Sequence, residues 1–370
     1  MKNLTLNRVP ESTNQSLRAW SAADELLIAF HEEKKPEQTL IYNDSFGYLS
    51  CHIAPAPTVV ISDLKSQEKA IIENLDTNGL DKANLKFSTL LEESDFKANI
   101  GLMKIPKSLE LFEMILSHFT KNADPEATLA CGFMTRNFTR QYIEIANEYF
   151  ENVEQSLSKK KARILILSGF KKAEEKSFLN TIPQEKEEIQ QYYGVFSAKK
   201  IDYATQFLIE NLEPPEEVET VLDLACGNGI LAKEVAKEFP EAEYHLIDDS
   251  MLAIESAKLN VKGDNFNFYH NNNLEELHAN TMDYVVCNPP FHVEYEIDIS
   301  LPLRLFRAVE KKLKREGKFQ LVANTHLNYK PHLEKIFKMV KVVHDNDKFI
   351  VYSCFNAYPD KDKRWNEDAI

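Results

Sequence analysis

The stretch that decides the fold is Thr220-Val221-Leu222-Asp223-Leu224-Ala225-Cys226-Gly227-Asn228-Gly229, in the second half of a chain of 370 residues. Its first five residues are mostly apolar and rich in strand formers, so they predict a short buried strand. The two glycines predict a tight turn, because glycine adopts backbone conformations that other residues avoid. Apolar residues at helical spacing from Ile230 to Phe239 predict the helix that follows. A strand, a glycine turn and a helix in this order are typical of a parallel α/β sheet whose turn approaches a ligand.

This turn differs from the fingerprint of dinucleotide-binding proteins. That fingerprint, Gly-x-Gly-x-x-Gly, needs a third glycine, and the chain has Ala232 at that position. A pyrophosphate cradle is therefore disfavoured. Asp223, at the strand end, can instead contact charged or hydrogen-bond-donating groups of a ligand, which Gly227 and Gly229 allow to approach the backbone closely.

Strands and helices alternate from this turn to the end of the chain. The predicted strands are residues 220–224, 243–247, 266–269, 282–287 and 318–323, and the predicted helices are residues 230–239, 250–260 and 300–314. Two further apolar runs, 341–343 and 349–354, predict a closing antiparallel hairpin. This alternation predicts an α/β fold with a mainly parallel sheet covered by helices.

The first half of the chain repeats this order. Shifting the sequence against itself by 184 or 185 residues superimposes Ile164–Phe170 on Phe349–Phe355, Ile105-Pro106 on Pro289-Pro290, and Asp63 on Asp248. Ordered matches at a nearly constant offset indicate a duplicated fold. The polar segment 177–195 is predicted to be the connection, which gives one domain over residues 1–180 and another over residues 190–370.

Two further motifs follow predicted strands and add polar groups at their ends. Asp248 can accept hydrogen bonds from both hydroxyls of a ribose, the role that a carboxylate has at this position of nucleotide-binding α/β sheets. Asn271-Asn272-Asn273 follows the third strand and can either contact an adenine edge or form a simple turn.

The sequence Asn288-Pro289-Pro290-Phe291 is the motif that carries chemistry. Two prolines fix the backbone and remove two N–H donors, which leaves acceptor groups at the end of a strand. The Asn288 amide oxygen and the Pro289 carbonyl can both accept from one exocyclic amino group. They would then turn the nitrogen lone pair toward an electrophile, while Phe291 offers a face for stacking a planar base.

Composition limits the possible partners. The chain has 44 Lys and Arg against 58 Asp and Glu, a net charge of −14, so contact with nucleic acid must rest on local patches. The candidates, Lys159–Arg163 and the basic stretch 304–318, can also be ordinary solvated surface. Residues 1–185 have a net charge of −4 and residues 186–370 of −10, which makes the first half the better candidate for holding nucleic acid.

The five cysteines lie far apart and form no Cys-x-x-Cys pair. Neither a metal site nor a disulfide framework is therefore expected, and a reducing cytoplasm fits this composition. No apolar run approaches the roughly 18 residues of a membrane span, so no membrane partner is expected.

Together, the motifs at residues 223–229 and 288–292 resemble those of class I S-adenosylmethionine (SAM) N-methyltransferases, and among them the duplicated ribosomal RNA guanine-N2 methyltransferases. Segments 4–8, 19–25, 43–47, 160–163, 195–197 and 322–327 are similar to the large-subunit branch of that family. The resemblance implies two tandem Rossmann-like class I methyltransferase domains, each with a seven-stranded mixed sheet, of which only the C-terminal copy binds SAM. It implies that the N-terminal copy is degenerate and helps to hold RNA.

The resemblance also implies roles for individual residues. The residues implied to bind the cofactor are Asp223, Ala225, Cys226, Gly227, Asn228 and Gly229 at the methionine part of SAM, Asp248 at the ribose, and Asn272 at the adenine. Asn288, Pro289, Pro290 and Phe291 would hold the target guanine. In the first copy, Lys104-Ile105-Pro106-Lys107 replaces this last motif, and lysines cannot accept from an amine but can meet phosphate.

Two departures from the family pattern bear on SAM affinity. Ala225 stands where the family has the first glycine of its turn, and we expect it to have extended backbone and to crowd the cofactor slightly. The family also tends to have Asp-x-Gly where this chain has Asp202-Tyr203-Ala204.

The prediction is therefore SAM-dependent methylation of the exocyclic N2 amine of a guanine in large-subunit (23S) rRNA. No metal is needed, because the sulfonium is already a good leaving group. Three alternatives remain open: a small-subunit rRNA guanine-N2 methyltransferase, a protein glutamine N-methyltransferase, and a non-catalytic RNA-binding factor of ribosome assembly.

Overall fold

The computed structural model describes residues 2–9, 17–92, 96–172, 175–184, 187–290, 292–293, 296–297 and 300–358. The chain divides into two compact units, residues 1–179 and 180–370. No helix within the described ranges is both long enough and apolar enough to cross a membrane.

The first unit has seven strands and five helices among its described residues. The strands are β1 (Thr39–Tyr42), β2 (Thr58–Ile61), β3 (Leu85–Ser88), β4 (Ala98–Lys104), β5 (Ala123–Met134), β6 (Phe150–Gln155) and β7 (Ala162–Phe170). The helices are α1 (Ala22–Lys34), α2 (Tyr48–Ile53), α3 (Lys65–Thr77), α4 (Leu109–Asn122) and α5 (Arg140–Tyr149).

The second unit repeats this order behind a short hairpin. Its strands are β8 (Leu179–Pro183), β9 (Glu188–Tyr192), β10 (Thr220–Leu224), β11 (Glu243–Asp248), β12 (Phe266–His270), β13 (Met282–Cys287), β14 (His292–Val293), β15 (Glu296–Ile297), β16 (Leu313–Asn324), β17 (Met339–Asp345) and β18 (Phe349–Phe355). Its helices are α6 (Tyr203–Glu210), α7 (Ile230–Ala236), α8 (Met251–Asn260), α9 (Ser300–Lys312) and α10 (Lys330–Leu333).

Each unit is built on a seven-stranded sheet, and the two sheets have the same strand order. The orders are β3-β2-β1-β4-β5-β7-β6 and β12-β11-β10-β13-β16-β18-β17. In both sheets the first five strands of the order are parallel, and the last two form an antiparallel edge. The predicted fold of two tandem seven-stranded mixed α/β sheets is confirmed.

The central strand β10 explains why its sequence is apolar nearly throughout. Leu222 and Leu224 belong to the core cluster on one face of the sheet with Phe306, whereas Val221 belongs to the cluster on the other face. Side chains of successive strand residues point to opposite faces, so a parallel strand covered by helices on both sides is buried along its whole length.

Strand register fixes how the two copies correspond. Tyr42 pairs with Ile61 and Met103, as Leu224 pairs with Ile247 and Cys287. The residue of the first copy that corresponds to Asp248 is therefore Ser62. The sequence match of Asp63 with Asp248 is wrong by one position, because a polar residue that follows a strand end carries no register information of its own.

A second correction concerns the segment 177–195, predicted to be a polar connection. Most of it forms the β8–β9 hairpin, whose Ile182 and Ile189 are buried against Ile230. The Tyr192 N–H donates to the Ser256 hydroxyl of α8 at 2.9 Å. The hairpin packs through few side chains, so its apolar signal in the sequence is weak.

A boundary also differs after α9. The helix predicted to reach residue 314 ends at Lys312, and the strand predicted from Lys318 begins at Leu313. Leu313 pairs with Met282 across a β-bulge, so sheet pairing ends the helix two residues early.

Candidate cofactor and acceptor site

Three parallel strands of the second unit bring the predicted site residues to one edge of the sheet. β10 lies between β11 and β13, and the three strands end at Leu224, Asp248 and Cys287. The chain runs from β10 toward β12 on one side and returns to the other side of β10 as β13. Ligands of open α/β sheets bind at such a switch point, beyond the carboxyl ends of the strands.

The loop after β10 turns through three residues with positive φ. Ala225, Gly227 and Gly229 have φ of 56°, 55° and 77°. The extended backbone expected for Ala225 is therefore wrong: its backbone is left-handed. The chain turns directly after β10, so residue 225 must adopt this left-handed conformation. For an alanine this conformation costs roughly 1–2 kcal/mol relative to an unstrained backbone.

The two glycines of the loop have different environments. A Cβ added to Gly227 would meet no atom within 4 Å, so this part of the loop borders open space. A Cβ added to Gly229 would lie 3.0 Å from the Ala257 Cβ of α8, so this glycine permits close packing. Cys226, between the strand and these glycines, is buried, and its N–H donates to the Ile247 carbonyl at 3.1 Å.

Asp248 joins the loop to the end of β11. One carboxylate oxygen accepts from the Gly227 N–H at 2.9 Å and the other from the Ser250 N–H at 2.9 Å. Asn271 N–H donates to the Asp248 carbonyl at 2.9 Å, which holds the turn after β12 beside it, and the Asn272 N–H donates to the Asn271 side chain. Asp248 and Asn272 thus lie on neighbouring strand ends, as the sequence predicts.

Asp223 lies beneath the loop and is fully buried. Its Oδ2 accepts from the Ala232 N–H at 2.9 Å, which ties β10 to the first turn of α7. Its Oδ1 is buried and has no partner in the described part of the chain. Burial raises the pKa of this carboxyl to about 8, and the nearby Asp248 carboxylate acts in the same direction.

Asn288 follows β13 with its side-chain amide held in a defined orientation. Its Nδ2 donates to the Asp202 carboxylate at 3.2 Å and to the Thr205 Oγ1 at 2.8 Å. A carboxylate only accepts hydrogen bonds, so the NH₂ group must face Asp202, and Oδ1 is directed away from both partners. Pro289 is buried and Pro290 half-buried, whereas Phe291 lies outside the described residues.

Comparison with known proteins identifies the chain. Residues 1–175 match the family described as the RLMG N-terminal domain, and residues 186–353 match the family described as the Methyltransferase small domain. Ribosomal RNA large subunit methyltransferase G of Psychromonas ingrahamii is 31% identical over 367 residues, which cover 95% of this chain and 96% of the relative. The Vibrio vulnificus protein of the same name is 29% identical over 374 residues, with the same coverage.

The chain belongs to the ribosomal RNA large subunit methyltransferase G family. Family membership confirms the predicted methyltransferase class. Among solved structures, the T. thermophilus 16S rRNA N2 G1207 methyltransferase (RsmC), in complex with AdoMet and guanosine, has a TM-score of 0.74 at 19% identity. The match covers 95% of this chain and 98% of that one, and it supports the shared fold.

In this family member, side chains of the first unit hydrogen-bond to backbone carbonyls at the edge that corresponds to the site. The Asn43 Nδ2 donates to the Lys104 carbonyl at 2.9 Å, and the Tyr142 hydroxyl lies 2.9 Å from the Pro106 carbonyl and 3.1 Å from the Lys107 carbonyl. Asp44 is buried and accepts from the Ser50 N–H and hydroxyl. Carbonyls that follow β4 are thus occupied within the unit.

The sequence prediction does not include the residues that hold the predicted site residues in place, which are Gln191, Asn260, Asp202 and Thr205. Asn228 donates through Nδ2 to Gln191 Oε1 at 2.7 Å, and its carbonyl accepts from Asn260 Nδ2 at 2.9 Å. Gln191 is buried in β9, and Asn260 also bonds both backbone groups of Gln190. Asp202 and Thr205 complete the group. The only sequence signal was the family's Asp-x-Gly, which includes Asp202.

The raised pKa of Asp223 makes a prediction about stability. The unfolded chain ionises this carboxyl near pH 3.8 and the folded chain near pH 8, so the stability that neutral Asp223 contributes is lost as pH rises between these values. Asp223→Asn copies the neutral form. We expect the variant's Tm to exceed that of the wild type by an increasing margin from pH 6 to pH 8, measured by thermal unfolding.

The exposed Asp264 provides the control. Asp264→Asn should change the Tm by the same small amount at every pH. A difference between Asp223→Asn and the wild type that stays constant with pH would show that the buried carboxyl titrates normally.

The contacts of Asn288 make a prediction about Thr205. Thr205→Val keeps the shape and removes the hydroxyl, so we expect kcat for rRNA methylation to fall roughly tenfold, the equivalent of about one buried hydrogen bond. The dissociation constant of SAM should stay unchanged, and Thr205→Ser should keep most of the rate. Equal rates for the valine and serine variants would exclude a role for the hydroxyl.

Proposed function

We propose that this protein transfers the methyl group of SAM to the exocyclic N2 amine of a guanine in large-subunit rRNA. The observation that carries the proposal is the fixed orientation of the Asn288 amide, which Asp202 and Thr205 hold by its nitrogen. The amide oxygen is then available to accept from an amino group at the carboxyl edge of the sheet. The names of the relatives, ribosomal RNA large subunit methyltransferase G, favour the large subunit over the small one.

The residues of this edge fit SAM. SAM carries a primary amine and a sulfonium, and the unpartnered buried oxygen of Asp223 suits a positively charged donor. The open space beside Gly227 accommodates a ligand against the backbone. We assign the methionine part to residues 223–229, the ribose to Asp248 and the adenine to Asn272. Bound there, SAM supplies an electrophilic methyl group.

The chain's own contribution is positioning. The Asn288 oxygen and the Pro289 carbonyl accept the two hydrogens of the amine, which turns the nitrogen lone pair toward the methyl donor. Fixing two reactants in this way removes much of the entropic cost of a bimolecular reaction. A guanine in a duplex cannot reach the edge of the sheet, so the target base must be unpaired or flipped out.

Asn288→Ala tests this role. We expect the rate of rRNA methylation to fall on the order of 10²-fold, because the amine loses an acceptor that orients it. SAM affinity, measured by calorimetry, should change less than about threefold, since the proposed cofactor groups lie at the ends of β10, β11 and β12 and not at the end of β13. Asn267→Ala, on the edge strand β12, is the matched control and should keep the wild-type rate.

The same assay separates the proposed function from its alternatives. Labelled SAM is supplied with unmodified large-subunit rRNA, small-subunit rRNA or a release factor. Label in a guanine of the large-subunit RNA supports the proposal, and label only in another substrate overturns it. A wild-type protein that binds no SAM at millimolar concentration would favour the non-catalytic assembly factor. If Asn288→Ala keeps activity within about threefold of the wild type, Asn288 does not position the target amine.

For the first unit we propose a role in holding RNA. The tight turn joining β6 to β7 presents Lys159, Lys160 and Lys161, and the last two have the positive φ typical of a two-residue hairpin turn. The Thr135 N–H donates to the Lys161 carbonyl, which keeps Arg136 beside this turn. In the second unit the corresponding turn carries Asn346, Asp347 and Lys348, so Lys159 and Lys160 have no basic counterpart there. A basic cluster at this position favours contact with phosphate.

The double variant Lys159→Ala and Lys161→Ala tests this role. We expect weaker binding of rRNA, and a slope of log affinity against log salt smaller by about 0.7–0.9 for each phosphate that the variant no longer binds. SAM affinity should not change. Lys34→Ala with Lys35→Ala, at the opposite edge of the same sheet, is the control of equal charge. The same salt slope for both double variants would contradict the proposal.

The location of the protein in the cytoplasm stays a prediction.

A further inference from the structure

One exposed aromatic side chain, Tyr203, lies next to residues that hold the acceptor amide. Among the described residues of the second unit, Phe196, Tyr203 and Tyr358 are the aromatic side chains with large exposure. Phe196 and Tyr203 lie at the two ends of the loop that leads from β9 to α6. Exposing such a ring to water is unfavourable, so an exposed aromatic group next to a functional site marks a contact surface.

Tyr203 lies beside the acceptor amide without contacting it. It is the first residue of α6, between Asp202 and Thr205, which both accept from Asn288. Successive helix residues differ in direction by about 100°, so the Tyr203 ring points away from the amide that its neighbours hold. The ring can therefore meet a group adjacent to the target base rather than the target base itself.

A lysine lies over one face of this ring. The Lys200 Nζ lies 3.7 Å from the ring centroid, over one face, while 59% of Tyr203 remains exposed. A hydrogen bond with Lys200 and the charge of that lysine, and more weakly the charge of Lys348, lower the pKa of the Tyr203 hydroxyl. An aromatic face next to lysines is the combination that single-stranded nucleic acids require, because bases stack on the ring and phosphates meet the charges.

We propose that Tyr203 is a stacking platform for the nucleotide next to the target guanine in single-stranded or opened rRNA. This inference rests on the proposed function. When the target base leaves its stack, its neighbour loses a stacking partner. Tyr203 replaces that partner, and Lys200 contacts the adjoining phosphate. Any of the four bases can stack on a single ring, so Tyr203 would increase affinity for RNA without base specificity.

The test uses the full-length protein and an unmodified, protein-free transcript of large-subunit rRNA. We compare Tyr203→Ala, Tyr203→Phe and Tyr358→Ala for binding of the labelled transcript, for KM and kcat of methylation, and for SAM affinity. Loss of one base–aromatic stack should weaken RNA binding and raise KM about tenfold in Tyr203→Ala. Phenylalanine keeps the stacking face, so Tyr203→Phe should stay within about twofold of wild type.

Tyr358 is 71% exposed in the same unit and is the matched control. Equal RNA binding by Tyr203→Ala and Tyr358→Ala would overturn the platform. So would an equal loss in the alanine and phenylalanine variants, since the hydroxyl and not the ring would then matter. A loss seen only with assembled subunits would point to a protein contact and also overturn it. Binding is measured directly, so a wild-type protein that binds rRNA without methylating it would refute the proposed function while still testing Tyr203.

Discussion

Parallel pairing of β10 with β11 on one side and with β13 on the other is the constraint on which the site depends. It brings the ends of three strands, separated by tens of residues in sequence, to one edge. The Gly227–Asp248 hydrogen bond then locks the loop of one strand to the end of the next. The groups proposed to bind the cofactor lie at the ends of β10, β11 and β12, and the proposed acceptor group lies at the end of β13, so the sheet itself would set the separation between donor and acceptor.

The two units show which features belong to the scaffold and which to the reaction. Asn74 bonds the Phe46 carbonyl and the Asn7 backbone, as Asn260 bonds the Asn228 carbonyl and the Gln190 backbone. This asparagine therefore serves folding in both copies. The polar groups of the site are different: Ile41 stands in place of Asp223 and Ser62 in place of Asp248. The first unit has the same sheet order and lacks these two carboxylates.

The alternation of apolar segments predicts all seven strands of the second large sheet and the helices α7, α8 and α9, because buried parallel strands and amphipathic helices leave strong local patterns, but it misses the short helices α6 and α10. The β8–β9 hairpin leaves almost none, since few of its side chains are buried. At the site, the motifs predict which strand ends matter. They could not predict Asp202 and Thr205 as partners of Asn288, which lie 86 and 83 residues away in sequence. The left-handed backbone of Ala225 could not be predicted from its residue type either, because the pairing of the neighbouring strands imposes it.

The hairpin at the start of the second unit also decides where the chain can be divided. Gln191 and Asn260 attach β9 to the ligand-side loop and to α8, so this strand belongs to the methyltransferase half although it resembles a tether in the sequence. A catalytic half separated by proteolysis or expressed alone must therefore start before Leu179. A cut anywhere in the hairpin would expose Ile230 and release Asn228, and the excised half would lose its shape at the edge proposed to hold the methyl donor.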